Sequence, residues 1–201
     1  MARKTPEEAE RTRQQIMKSA KELFIRKGYG ASSMEDICEE AGVSKGSIYY
    51  HFKSKEQLFL RLLEQNMLEW EDKWRELVKP GMTATEKLYA LAEHYAQDFD
   101  NPLIKAGEEF AGSYGSDPAV LERLLDISRR HYPLIGEVVE EGIEKGEFRH
   151  DDPKALTYIL VGMMSGLGLT YYENMPKEEV LALHRKAIDI FVQGAGLPRK
   201  G

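Results

Sequence analysis

Cysteine is nearly absent. Cys38 stands alone among 201 residues, so no disulfide can close within the chain, and such usage suits a reducing compartment such as the cytoplasm. Long apolar runs are missing too. Nothing approaches the roughly 18 uninterrupted apolar residues of a membrane span, and Met1-Ala2-Arg3-Lys4 leads into charged residues rather than into the apolar stretch of a secretory signal. The five histidines, His51, His94, His131, His150 and His184, have no metal-ligand spacing, so neither a metal nor a cofactor is expected. There is no glycine-rich phosphate loop, activated nucleophile or paired acid and base, which leaves an enzyme with the weakest support. The alternation of apolar and polar residues that marks strands is also scarce.

What is present is charge, unevenly spread. The chain holds 28 Lys and Arg against 34 Asp and Glu, a net charge of −6. Residues 1–60 carry 11 of the basic and 9 of the acidic residues, and the remainder carries 17 and 25. A mildly basic head therefore sits on an acidic body, and any polyanionic partner has to meet the head.

Helical periodicity runs through nearly the whole sequence, so the fold class is all-α with about nine helices. The first helix starts at Thr5-Pro6, buries Ile16, Ala20, Leu23 and Phe24, and stops at Gly28. A second runs from Ser33 to about Ala41, with Ser33 and Asp36 as a capping box. Ser44 caps a short third helix through Tyr50, and Ser54 caps a long fourth that Pro80-Gly81 ends. Proline and glycine divide the rest: a fifth from Thr83 to Asp98, a sixth from Asn101-Pro102 to Tyr114-Gly115, and a seventh from Asp117-Pro118 to Gly146, kinked at Pro133. An eighth follows from Asp152-Pro153 to Glu173 and a ninth from Met175-Pro176 to Gln193, with a fraying tail after it.

The informative segment is SMEDICEEAGVSKGSIYYHFKSK, Ser33 to Lys55. Two short helices joined by a Gly42-Val43 turn, with a cap residue immediately after, make a helix-turn-helix. Ile37 and Ala41 lock the supporting helix, Val43 plugs the space between, and Ile48 and Phe52 anchor the third helix from behind. Ser44 begins that helix, and Lys45, Gly46, Ser47 and Tyr49 are left on its outer side, where groove readers belong. The blander readings are that Tyr49 and Tyr50 are packing aromatics and that Cys38 is a small buried hydrophobe.

The run AGVSKGSIYYHFKSKEQL, with Ala20, Leu23-Phe24, Gly28-Tyr29, Ser33 and Asp36-Ile37 upstream, resembles the DNA-binding signature of the TetR/AcrR family of bacterial repressors, over about residues 10–60. The resemblance implies that Lys45, Gly46, Ser47 and Tyr49 touch bases or line the major groove. It implies that Tyr50 and His51 grip phosphates, that Lys55 binds phosphate at a helix N-terminus, and that Ser33 bonds the DNA backbone. Position 35 departs from members that read a base there with arginine: Glu35 is not counted as a reader. The head is expected to span residues 1–56, and a ligand-binding and dimerisation body residues 57–201.

For the body the resemblance implies a ligand pocket and a four-helix dimer interface. The aromatic and flexible residues Trp70, Trp74, Tyr95, Phe99, Phe110, Tyr114, Tyr132, Met163, Met164 and Tyr171 suit a lipophilic ligand, with His94, Glu108 and Glu109 as polar contacts; the alternative is a plain helical core. Ile159-Leu160-Val161-Gly162-Met163-Met164-Ser165-Gly166 is apolar on nearly every face and must be covered on all sides. Ile159, Met163 and Gly166, with Leu183, Ala187, Ile190 and Phe191 of the last helix, are the expected dimer face. A two-fold dimer would offer two reading helices to a pseudo-palindromic operator about 34–36 Å apart. The expected function is a sequence-specific repressor, released by a small molecule. The rivals are a DNA-binding organiser with no ligand and, last, an enzyme.

Overall fold

The computed structural model describes residues 5–98, 101–114 and 117–195; of Tyr114 and Tyr171 it describes only the backbone. The helices are α1 (Pro6–Lys27), α2 (Met34–Glu40), α3 (Lys45–His51), α4 (Lys55–Leu77), α5 (Ala84–Asp98), α6 (Leu103–Tyr114), α7 (Pro118–Arg129), α8 (Tyr132–Glu144), α9 (Pro153–Gly166) and α10 (Lys177–Ala195), with a 3₁₀ segment at Leu167–Glu173. The chain divides into two compact units. One holds the described residues up to Leu68 together with Asn101–Ser128; the other holds Glu69 to Asp98 and Arg129 to Ala195. The expected cut at residue 56 follows the reading motif, whereas packing groups α6 and most of α7 with the head.

Local chemistry explains the helix ends. Thr5 and Glu8 form a reciprocal capping box at α1, and Gly28 closes that helix at φ 84°, a left-handed conformation that favours glycine. Ser33 and Asp36 repeat the box at α2, and Thr83 and Glu86 at α5. A second carboxylate also serves α5. Glu147, 63 residues away, accepts from the amides of Ala84 and Thr85 at 2.8 and 2.9 Å. Burial pushes its pKa up, but the two amides outweigh burial and the net shift is downward.

The predicted seventh helix with a kink is instead two helices. α7 stops at Arg129 and α8 starts at Tyr132, with Pro133 in its first turn. Proline lacks an amide hydrogen, which is needed in a helix interior but not in a first turn. The predicted eighth helix likewise tightens into the 3₁₀ segment after Gly166.

The core of the first unit gathers Ile16, Ala20, Leu23 and Phe24 of α1 with Ile37, Ile48, Leu58 and Phe59. At its centre Tyr29, from the turn between α1 and α2, lies 5.0 Å from Phe110 and 4.9 Å from Phe59, both edge to face. Phe110 is therefore not a pocket residue of the body. It is fully buried against the head, because α6 packs on α1.

In the second unit α5 packs against α10 and α8 against α9. Gly142 on α8 lets Phe148 and Ala84 come close, since a Cβ there would overlap the Phe148 ring.

Candidate nucleic-acid interface

α3 is short, so its orientation depends on anchors. Ile48 is fully buried and Phe52 nearly so. The turn before it is tied down: Gln15 donates to Ala41 O at 2.7 Å, and Cys38 Sγ donates to Val43 O at 2.7 Å. Ser44 caps α3 by accepting from Ser47 N at 3.2 Å. With the anchors behind, Lys45, Gly46, Tyr49 and Tyr50 are exposed, and Ser47 and His51 half-buried. Tyr50 is 72% exposed and Tyr49 39%, so neither is a core packing aromatic. The Tyr50 and His51 rings meet edge to face at 5.0 Å. A cleft of about 570 Å³ beside them is lined by His51, Lys53, Arg13, Arg61 and Arg123 together with Glu56 and Glu64; Arg61 and Arg123 both pair with Glu64 and Arg13 pairs with Glu10, so the cleft carries charge of both signs.

Two expected phosphate or backbone ligands also hold the head's own turns in place. Lys55 turns inward: its Nζ donates to Tyr29 O at 2.8 Å and Ser32 O at 2.7 Å and sits 4.2 Å over the Tyr29 ring. Burial lowers its pKa. Two of its three ammonium hydrogens fasten the α1–α2 turn. Ser33 spends its hydroxyl in its own cap, donating to Asp36 Oδ2 at 2.5 Å and accepting from Asp36 N at 3.0 Å. That network pulls the Asp36 carboxyl down to about 2.

Two participants were not legible as such. Glu35, at the start of α2, pairs with Lys45 of the reading helix at 2.8 Å. Glu109 of α6 accepts from Gly30 N at 3.1 Å and fills the space where a Gly28 Cβ would sit. Glu109 thus serves the head rather than a pocket in the body, and Glu108 is exposed on α6. The charges in the sequence marked both glutamates, but only the fold assigned their partners.

In the second unit Trp70 and Trp74 are buried, and Met164 fully so. Trp70 lies against His94, the rings tilted by 37° with centroids 4.2 Å apart, and meets Tyr95 at 5.6 Å and His131 at 5.1 Å. His94 Nε2 pairs with Trp70 O at 2.9 Å, and Tyr95 OH with His131 Nε2 at 2.9 Å. Burial pushes the Tyr95 hydroxyl far up and lowers the pKa values of His94 and His184. Buried Glu71 is neutralised by Arg130 at 3.1 Å and Arg75 at 3.4 Å. Tyr132 meets Tyr158 edge to face at 5.3 Å on a separate cleft of about 310 Å³, and Met163 is half-buried. Phe99 lies outside the described residues, as do the side chains of Tyr114 and Tyr171. His131 and His184 join the aromatic cluster without having been singled out for it, since no spacing in the sequence links them.

The expected dimer face divides. Ile159 is 54% and Ile190 55% exposed, and Leu183 and Gly166 are exposed with them. Ala187 and Phe191 are not on that face. They turn into their own core, where Phe191 meets Phe148 at 6.2 Å. α10 shows two apolar sides, and the sequence alone merged them into one stripe. A Cβ added at Gly162, Gly166 or Gly168 would touch nothing within 4 Å, so no close approach inside this chain calls for them.

Among the described residues no helix is long and apolar enough to cross a membrane, and no cluster of His, Cys, Asp and Glu is arranged to hold a metal.

Residues 16–62 match the family model described as bacterial regulatory proteins, tetR family, and residues 66–196 match that described as QacR-like protein, C-terminal region. The chain is 30% identical to the HTH-type transcriptional regulator QacR of Staphylococcus aureus over 180 residues, 89% of this chain and 95% of that protein. It is 25% identical to the fatty acid metabolism regulator protein of Bacillus subtilis over 185 residues, 90% and 93% of the two chains. The crystal structure of FadR from Bacillus subtilis in complex with stearoyl-CoA superposes with a TM-score of 0.77 at 25% identity, covering 90% of this chain and 98% of that one. With matching models over both its reading motif and most of its remaining length, the chain belongs to the TetR family of bacterial transcriptional regulators and carries that family's DNA-binding helix-turn-helix.

Proposed function

We propose that the protein is a cytoplasmic repressor that holds a roughly palindromic operator as a two-fold dimer and releases it when a small lipophilic ligand enters the second unit. The observation that carries the DNA half is α3 itself: Ile48 and Phe52 are buried while Lys45, Gly46, Tyr49 and Tyr50 face out. Ser44 and Ser47 act at the start of that helix, and Tyr50, His51 and Lys53 meet phosphates. The ligand half rests on the cluster of Trp70, Trp74, His94, Tyr95 and His131, where polarisable rings are interleaved with a few buried polar atoms. Those rings already touch one another, so a ligand has to displace them. That packing also favours a second reading, a DNA-binding organiser whose body docks other proteins and takes no ligand.

α4 carries Leu58 in the core of the head at one end and Trp70 and Trp74 at the other. A ligand that reorders the tryptophans acts on this helix, and it shifts DNA binding only as far as it prefers the DNA-incompetent arrangement. The coupling is reciprocal, so DNA weakens ligand binding by the same factor. The test uses the fluorescence of Trp70 and Trp74, titrated with stearoyl-CoA, the ligand of the Bacillus subtilis FadR complex, with and without DNA from upstream of the protein's own gene. Weaker binding in the presence of DNA supports release by ligand. Equal affinities overturn it, and no binding of any lipophilic probe favours the organiser.

A further inference from the structure

Glu35 poses a physical problem. It is a carboxylate, 59% exposed, beside the face that the proposed function turns towards a polyanion. An acidic side chain there lowers affinity by repelling phosphate unless its charge is matched and its oxygens find donors. The first condition is met, because Lys45 at the start of the reading helix lies 2.8 Å away and is itself 67% exposed. Each partner favours the charged form of the other: Lys45 lowers the pKa of Glu35, and Glu35 raises that of Lys45. Ionised, Glu35 only accepts hydrogen bonds and Lys45 only donates them.

The second condition has a solution in the major groove. There a C·G pair presents the cytosine N4 amine next to the guanine O6, and the two atoms are hydrogen-bonded to each other at about 2.9 Å. In the Glu35–Lys45 pair an acceptor and a donor likewise stand side by side, 2.8 Å apart. We propose that Glu35 and Lys45 read one base pair as a unit, Glu35 accepting from an amino group and Lys45 donating to the keto oxygen beside it. The second N4 hydrogen of cytosine points into the groove, free for the carboxylate, and guanine N7 offers Lys45 a further acceptor. An A·T pair keeps the amino–keto order but sets the acceptor N7 of adenine near Glu35 and the thymine methyl near Lys45. The reversed pairs, G·C and T·A, place a keto oxygen against the carboxylate and an amine against the ammonium. The order of preference is therefore C·G, then A·T, then the two reversals.

This inference rests on the head being a sequence reader, so the experiment separates the two claims. Wild-type protein selects sites from a pool of randomised duplex DNA, and the resulting motif is scanned one base pair at a time with wild type, Glu35→Gln, Lys45→Gln and Tyr49→Ala. Both members of the pair are exposed, and thermal melts check that the variants fold. In wild type, reversing the C·G pair read by the dyad costs roughly tenfold or more in affinity. A glutamine amide both donates and accepts. Glu35→Gln and Lys45→Gln therefore relax discrimination at that same pair by at least about fivefold and leave the other positions as they were. Loss of the motif in Tyr49→Ala alone keeps the reading head. If Glu35→Gln strengthens binding evenly at every position, or the two variants relax different positions, the dyad is overturned while the head stands. If wild type selects no motif, both readings fall.

Discussion

Single side chains here take roles that their identity leaves open. Lys55 is charged and sits at the start of a helix, yet its bonds to Tyr29 O and Ser32 O make it a clasp for the α1–α2 turn. Hydrogen bonds from a charged donor contribute roughly 1.5–3 kcal/mol. Lys55→Ala is accordingly expected to lower stability by about that amount, read as a shift in the urea midpoint. It is also expected to leave nearly unchanged the slope of log affinity for DNA against log salt; a slope reduced by about 1 would mean that the lysine meets a phosphate as well. The buried histidines give the second prediction at this scale. Burial holds His94 and His184 below the ordinary value of 6.5. The unfolded chain then binds more protons than the folded one as pH falls below 6.5, so their neutral packing stabilises the fold above that pH and less so below it. The melting temperature should fall between pH 7 and pH 5, and His94→Gln together with His184→Gln should flatten that fall. A melting temperature that rises on acidification would contradict the burial argument.

At the scale of elements, periodicity and caps carried far. Thr5, Ser33, Ser44 and Ser54 start helices where their hydroxyls meet backbone amides, because capping is a local interaction within three residues. The same reasoning misjudged Pro133, since a proline in a first turn and one at a kink differ only in where the preceding helix ends. It also could not find the Glu147 carboxylate at the start of α5, because that contact joins positions 62 and 63 residues apart. Gly142 is a sharper case. Its need for glycine comes from Phe148 and Ala84 pressed against it, and its place in α8 reads as an ordinary helical position. Gly142→Ala should destabilise by roughly 1–3 kcal/mol through overpacking, against a typical helix-propensity gain of about 1 kcal/mol. A thermal melt of the variant decides between the two, and a raised melting temperature would mean that the Phe148 ring moves aside freely.

For the whole molecule the open question is what covers α9 and α10. Tyr158, Ile159, Leu169, Leu183 and Ile190 are all exposed, and the glycines at 162 and 166 meet nothing in their own chain. A second copy seated there is the proposed dimer. Ile159→Glu with Ile190→Glu buries carboxylates in that interface, each costing several kcal/mol. Sedimentation should then show monomer where wild type shows dimer, with a matching loss of operator affinity. An unchanged mass would move the interface elsewhere. Ala187→Glu is a different experiment, since Ala187 lies in the chain's own core, and it should impair folding instead.

By itself the sequence determined the helical class, most helix starts, the reading helix with its outward residues, and the family, because each rests on local signals: periodicity, caps, a glycine turn and a contiguous motif. Tertiary structure alone decided which distant side chains meet. It gave Phe110 and Glu109 to the head and Lys55 to a backbone clasp, turned Ala187 and Phe191 inward, gathered His94 and His131 around Trp70, and set Glu35 against Lys45. The reason is physical. Helix formation is written in neighbours three and four residues apart, whereas burial and ion pairing depend on which faces the packing brings together.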